Sequence, residues 1–241
     1  AVNGALLWEK KLSANTRIRD FDYNPDDPTT SAINEETLIL VGHTTPLSTG
    51  GVDVNNKSFI IGLFPNGIMK FSKEFDFTGR EQINKVERHK NPMSGFNFYA
   101  VGVRNQNSPS PIPSSWDQTF LINFDINGVV SWIRDYTYRS FPSGDDEILR
   151  GMIGLSDGSI IITGNDVPRN DGIIVRINGL TGIPIGAGDA IFANNPSPAI
   201  DFHDGLELPN GDIVLAGEWF GRHEAIICVF SKGNLSAVQT I

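Results

Sequence analysis

The chain has 241 residues, a formal net charge of −9 at pH 7 and a pI near 4.9. An acidic protein repels phosphate backbones, so generic nucleic-acid binding is disfavoured. The chain contains no run of about 18 consecutive apolar residues, which argues against a membrane-spanning helix, and its single cysteine, Cys228, excludes an intrachain disulfide.

Glycine and proline are abundant, with 25 and 14 residues, which favours many turns over long helices. Short runs rich in Ile, Val and Phe, bounded by Gly, Asn, Asp or Pro, are typical of β-strands. No segment keeps a 3.6-residue apolar period over about three turns. The composition therefore predicts an all-β fold in which helix is scarce.

In chain order, the first predicted element is a strand over 5–12, which carries Trp8 shortly after the turn residue Gly4. The chain begins inside this pattern, without Met and without an apolar leader, which indicates a processed chain or a fragment. Four repeats then follow, over 16–77, 81–138, 145–192 and 199–241.

Three markers define these repeats. A turn glycine precedes an aromatic residue in "VNGALLW", "PNGIMKF" and "INGVVSW", with weaker copies in "LTGIPI" and "SKGNLSAV", spaced roughly 50–60 residues apart. Strands ending in glycine form the second marker, "TLILVG", "FNFYAVG", "SIIITG" and "DIVLAG", and "SFIIGLFP", "TFLINFDI", "GIIVRING" and "EAIICVFS" form the third. Four antiparallel strands per unit predict a β-propeller blade. The alternative, a two-sheet sandwich, fits the regular period less well.

The segment "GLSDGSIIITGNDVPRNDGIIVRING" resembles the propeller repeats of secreted and surface bacterial proteins (SBBP repeats) and, more loosely, NHL repeats. The resemblance implies a single β-propeller domain over 1–241, with about four complete blades and, over 1–12, the outer strand of an incomplete blade. A five-bladed ring and a larger ring both stay open. It also implies an extracellular or cell-surface location in a bacterium.

Long loops at 43–58 and 104–118 are predicted to share one face of the propeller, and insertions on one face commonly mark a binding surface. The chain is therefore predicted to be a non-catalytic binding or scaffold module, not an enzyme, that binds a protein or glycan partner. The candidate contact residues are His43, Arg104, Trp116, Tyr136, Tyr138, Asp166, Trp219 and Phe220.

The alternative function is a propeller glycoside hydrolase or lyase with a carboxylate pair in the central funnel. Candidate carboxylates on or near the first strands are Asp20, Asp22, Glu87, Glu147, Asp201 and Glu207. Further polar residues predicted to line the channel are Arg19, Lys85, Arg150, His203 and Asp204. The motifs of serine hydrolases and P-loop proteins do not occur in the chain.

No metal or cofactor is expected from the sequence. The acidic segment 24–36 lacks the alternating ligand spacing of an EF-hand, and the four histidines lack a close metal-ligand spacing. His203 and Asp204 are neighbours on a predicted strand and should point to opposite faces, which makes them a poor proton-transfer pair.

Overall fold

The structure, a computed structural model, describes residues 8–13, 15–24, 36–44, 56–77, 81–90, 97–107, 115–136, 147–166, 171–185, 190–193, 200–219, 224–231 and 239–240. Within these ranges the fold is all-β, with sixteen strands in four antiparallel sheets. A helix long and apolar enough to cross a membrane does not occur among the described residues. The all-β prediction is confirmed.

Each sheet contains four strands that lie side by side in chain order. The first sheet contains β1 (Thr16–Asn24), β2 (Thr37–Thr44), β3 (Lys57–Leu63) and β4 (Met69–Phe75). The second contains β5 (Glu81–Arg88), β6 (Asn97–Asn107), β7 (Ser115–Asp125) and β8 (Val130–Tyr136). The third contains β9 (Glu147–Gly154), β10 (Ser159–Asp166), β11 (Asp171–Asn178) and β12 (Ala190–Ala193), and the fourth contains β13 (Ile200–Glu207), β14 (Ile213–Trp219), β15 (Glu224–Phe230) and β16 (Gln239–Thr240).

Apolar residues on both faces of the middle strands hold the sheets together. In β6, Phe98 and Ala100 pack in a core shared with the first sheet, whereas Tyr99 and Val101 pack in a core shared with the third. This division follows from the two-residue period of a strand. A further core joins the third and fourth sheets through residues such as Ile161. The sheets therefore stack face to face in chain order.

The first strand of every sheet contains a β-bulge at the same repeat position. The register skips one residue between the first and second strands, and the extra residues are Arg19, Asn84, Arg150 and His203. A bulge bends the strand and redirects a side chain. The residue before each bulge pairs with a glycine of the second marker: Gly42, Gly102, Gly164 and Gly217.

Three of these glycines occupy positions where a side chain would clash. A Cβ at Gly42 would overlap the carbonyl oxygen of Arg17, and one at Gly217 would overlap that of Asp201. At Gly102 the added atom would lie 2.5 Å from the carbonyl oxygen of Gln82. The strand-ending glycines of the second sequence marker therefore indicate where the neighbouring first strand has its bulge.

The first marker has a different cause, because its aromatic residue packs on the turn of the following sheet. A Cβ at Gly128 would lie 2.5 Å from the ring of Phe71, and one at Gly182 would lie 2.9 Å from the ring of Trp132. Both glycines also have positive φ, 77° and 67°, which other residues adopt only with strain. Trp132 further donates a hydrogen bond from Nε1 to the carbonyl oxygen of Leu180, at 3.0 Å.

Residues 8–13 supply the same contact for the first sheet. Trp8 packs on the turn at Gly67 and donates a 2.7 Å hydrogen bond from Nε1 to the carbonyl oxygen of Pro65. Trp8 and Leu12 also pack on the outer apolar face of this sheet. The sequence predicts an outer strand over 5–12, and in its described part, 8–12, the backbone is irregular.

We expect Gly217→Ala to lower the free energy of unfolding by about 1–3 kcal/mol, because overpacked sites cost about that much. The new methyl group would overlap the Asp201 carbonyl oxygen. Urea unfolding followed by fluorescence measures the change. The control is Ala216→Gly at the exposed neighbouring position, which removes a methyl group without a clash. Equal stability of Gly217→Ala and wild type would contradict the steric account.

Candidate functional site

Charged side chains from three sheets meet around Lys85. Its Nζ donates a 2.9 Å hydrogen bond to Oδ2 of Asp204 and lies 4.0 Å from Oδ2 of Asp20. Lys85, Asp20 and Asp204 each follow directly after the bulge residue of their strand. The first strands of the first, second and fourth sheets therefore converge, and we call these three residues the Lys85 cluster.

Asp20 in the cluster and Asp22 beside it fasten the first sheet to the second. The backbone N–H of Val86 donates to Oδ2 of Asp20 at 2.9 Å, and that of Arg88 donates to Oδ2 of Asp22 at 2.6 Å. Hydrogen bonds to ionised acceptors are stronger than neutral ones. These hydrogen bonds fix the position of β1 along β5 and place Asp22 close to Glu87.

Burial and charge act in opposite directions on the pKa values of the cluster. Burial raises the pKa of Asp20, although the Val86 amide and Lys85 lower it. Burial alone would lower the pKa of Lys85, but the hydrogen bond to Asp204 and the charges of Asp20 and Asp204 raise it overall. Lys85 therefore stays a cation, held between two carboxylates.

Glu87 lies two residues after Lys85 on the same face of β5. Its side chain is 25% exposed and lies 4.0 Å from the Nζ of Lys90. Burial, followed by the negative charge of Asp22, raises the pKa of Glu87 to about 7, while Lys90 and a hydrogen bond from the Gly154 amide oppose the shift. A carboxyl group of this kind exchanges a proton near neutral pH.

A second polar group lies beside the Lys85 cluster on the fourth sheet. Asp201, His203 and Glu218 place one ligand atom each within 4.8 Å of one another, so they are the described residues that could hold a metal ion. The bulge at His203 interrupts the alternation of β13. The expectation that His203 and Asp204 alternate regularly between faces is therefore wrong.

The remaining candidate carboxylates and channel residues have structural partners or undescribed side chains. Glu207 accepts hydrogen bonds from the backbone and the hydroxyl of Ser156, at 2.6 and 2.7 Å, which fasten the fourth sheet to the third. Arg19 donates to Oε1 of Gln82 at 3.1 Å. Glu147 and Arg150 lie in β9, but their side chains are outside the described part of the structure.

Four of the predicted partner contacts have described side chains, and two of these are buried. His43 is 2% exposed, and burial, with the charges of Arg19 and Arg17, lowers its pKa to about 4. Tyr136 is 5% exposed and donates a 2.7 Å hydrogen bond to the carbonyl oxygen of Gly182. Both residues stabilise the interior instead of presenting a contact surface.

The other two are partly buried. Arg104 donates from Nη2 to Oδ2 of Asp135 at 2.6 Å and lies over the ring of Phe77. Trp219 packs against the core between the third and fourth sheets. Trp116 and Asp166 lie in strands whose side chains are not described there, and Tyr138 and Phe220 lie outside the described residues, as does 25–35 of the acidic segment.

A surface cleft of about 430 Å³ lies elsewhere, at the turn between β3 and β4. Its lining contains none of the convergent charged residues, so its volume alone does not indicate chemistry. The lining residues are Glu36, Phe64, Pro65, Asn66 and Ile68.

No protein-family model and no curated protein matches the chain. Among solved structures, a luciferin-regenerating enzyme is similar with a TM-score of 0.44 and 10% identity, over 88% of this chain and 70% of that one. Lignostilbene dioxygenase from Pseudomonas brassicacearum is similar with a TM-score of 0.41 and 11% identity, over 83% of this chain and 48% of that one. An apocarotenoid oxygenase variant from Synechocystis is similar with a TM-score of 0.43 and 13% identity, over 100% of this chain and 52% of that one. The chain thus spans about half the length of the two oxygenases.

These similar structures are enzymes. They contradict two predictions: that the chain is a non-catalytic binding or scaffold module, and that it is not an enzyme. Both predictions are therefore wrong. The long loops suggested a binding surface, whereas the convergent charged side chains lie on strands far apart in sequence, where spacing does not reveal them. With TM-scores below 0.5, the comparisons carry no argument about the reaction, substrate or metal of this chain.

We expect the free energy of unfolding to fall as pH rises from about 4.5 to about 7, because Glu87 holds its proton more tightly when folded. The loss persists above pH 7. Glu87→Gln removes this carboxyl group, so its stability relative to wild type should increase from pH 4 to pH 8 by on the order of 2 kcal/mol.

Urea unfolding at both pH values measures this difference. The control is Glu74→Gln, which changes an exposed carboxylate and gives the baseline against which the pH dependence of Glu87→Gln is compared. A Glu87→Gln difference that does not depend on pH would contradict the raised pKa.

Proposed function

We propose that the chain is an enzyme that uses general acid–base catalysis on a polar, oxygen-containing substrate, with Glu87 as the proton donor. The observation that carries the proposal is the position of Glu87: a mostly buried carboxyl group with a pKa of about 7, beside Asp22 and next to the Lys85 cluster. General acids work best when their pKa lies close to the working pH.

The neighbours of Glu87 give the site two further functions. Lys85 offers an ammonium group, which can stabilise negative charge that develops on a substrate oxygen. Asp204 is 56% exposed, so the Lys85 cluster is open to solvent on its side. A polar substrate can therefore approach the ammonium group of Lys85 from the solvent-exposed side of the cluster, where Asp204 lies, and receive a proton from Glu87.

The architecture that we propose around this site is a β-propeller in which the four sheets are blades. Two observations support it: the sheets stack face to face in chain order, and their first strands converge at Lys85. Apolar side chains stay exposed on the outer faces of the two end sheets, among them Phe21, Tyr23 and Ile227. These exposed side chains support an arrangement in which the first and fourth sheets do not pack face to face, whereas consecutive sheets do.

The resemblance to secreted and surface bacterial repeats adds the proposal that this enzyme works outside the cell or on its surface. A protein or glycan partner also stays a prediction. Both depend on the repeat pattern and the loops, and the charged site itself is independent of them.

The enzymatic proposal predicts that Glu87→Gln lowers kcat/KM at least about 100-fold, within the range that general acid catalysis contributes. Purified protein would be assayed on chromogenic glycosides, carboxylic esters and phosphate esters. Activity should fall on the alkaline side with an apparent pKa near 7, because the donor must be protonated.

Glu74→Gln serves as the matched control and should keep wild-type activity, since Glu74 lies on the outer strand β4 and is 60% exposed. Full activity of Glu87→Gln, or turnover of none of these substrate classes, would count against the proposal.

A further inference from the structure

We propose that Asp201, His203 and Glu218 form a binding site for one divalent transition-metal ion, such as Zn²⁺ or Mn²⁺. The site is distinct from Glu87 and does not depend on the proposed reaction. We call it the β13–β14 site.

Strand geometry brings the three side chains together. Asp201 and the bulge residue His203 are two residues apart on β13, and their ligand atoms lie within 4.8 Å of each other. Glu218 lies directly opposite Asp201 in the β13–β14 register, where cross-strand side chains are close neighbours. The bulge at His203 then bends β13 beside the position that Glu218 occupies.

The distances suit a metal ion after small side-chain rotations. The three ligand atoms lie within 4.8 Å of one another, and Nε2 of His203 is 3.8 Å from Oε1 of Glu218. Ligands bound about 2.0–2.2 Å from an ion stand roughly 3.0–3.5 Å apart. His203 and Glu218 are 44% and 40% exposed, so they are free to close this gap against the buried Asp201.

The donor set indicates the kind of ion. Two carboxylates and one imidazole favour first-row transition metals, because imidazole suits Zn²⁺ and its neighbours, whereas Ca²⁺ and Mg²⁺ prefer oxygen ligands alone. Three protein ligands leave at least one position for water, as in catalytic sites.

Charge also favours a cation at this place. Asp201 is 0% exposed, and its carboxylate lies near that of Glu218. Two carboxylates close together, one of them buried, are unfavourable unless a proton or a cation compensates their charge. Asp204, which follows His203 in the chain, is a further carboxylate and pairs with the ammonium of Lys85, and the chain as a whole carries a net charge of −9.

An ion pair between protonated His203 and Glu218 is the competing explanation of their contact. That pair would need neither Asp201 nor a metal. The two explanations therefore differ in two respects: only the metal site requires an ion, and only the metal site uses Asp201 as a ligand.

The test is calorimetric titration of chelator-treated protein with Zn²⁺, Mn²⁺ and Ca²⁺. We expect one Zn²⁺ or Mn²⁺ per chain and much weaker binding of Ca²⁺. Loss of a partner that only orients a ligand costs about 10–100-fold in affinity. Asp201→Asn, His203→Gln and Glu218→Gln should therefore each weaken binding at least about 100-fold.

Glu224→Gln is the matched control. It removes an exposed carboxylate from the neighbouring strand at the position opposite Trp219, and so on the other face from Glu218. Metal affinity of this variant should equal that of wild type, and melting temperatures without metal would show which variants are folded.

A second measurement uses the unaltered protein, so that it remains decisive if Asp201→Asn fails to fold. Paramagnetic Mn²⁺ should broaden the imidazole NMR signals of His203 before those of the buried His89. Absence of Zn²⁺ and Mn²⁺ binding, binding unchanged in the ligand variants, or broadening that spares His203 would each overturn the proposal. Loss of Glu87 should leave metal affinity unchanged, which separates this site from the acid–base proposal.

Discussion

The fold depends on the close approach of a bulged first strand to a glycine on the second strand. In three sheets the carbonyl oxygen next to the bulge occupies the place that a Cβ of this glycine would need, as at Gly42, Gly102 and Gly217. The same bulge directs polar residues toward the neighbouring sheets. One backbone irregularity therefore has two results: it fixes a glycine in the sequence, and it gathers Asp20, Lys85 and Asp204.

Two kinds of contact then hold the sheets in series. Near the first strands, carboxylates accept hydrogen bonds from backbone amides of the adjacent sheet, as Asp22 does from Arg88. Near the outer strands, aromatic rings cover the turn of the following sheet, as Trp132 does at Gly182. Directional hydrogen bonds at one edge and apolar contact at the other fix both spacing and orientation, which apolar packing alone does not.

Much of the fold was predictable because it is local and repeated. The turn glycines, the strand-ending glycines and the apolar runs each recur from repeat to repeat. Where the structure describes the contacts of these glycines, as at Gly42 and Gly182, they have a steric cause. Trp132 was visible as a marker, although its hydrogen bond to the Leu180 carbonyl was not. Repetition makes such positions readable even without a known relative.

The candidate site was predictable only in part. Its residues were visible as polar positions on first strands, but the partners of Lys85 are far away in sequence, with Asp204 at a separation of 119 residues. Glu218 was not singled out, since its relation to Asp201 is a strand register and not a spacing. The bulges could have indicated the site: aligned on their glycines, the four repeats place Arg19, Asn84, Arg150 and His203 at one position.

The energetics at this position argue for function. A buried carboxyl group such as Glu87, with its pKa raised to about 7, destabilises the fold at neutral pH, and an apolar residue there would avoid that loss. Lys85 compensates Asp20 and Asp204, whereas Lys90 and Lys85 only partly oppose the rise in the pKa of Glu87. Residues that reduce stability in this way are concentrated at sites where chemistry or binding requires them. The departures of the first strands from regular β-structure are therefore best understood as the means by which a repetitive scaffold acquires asymmetric sites.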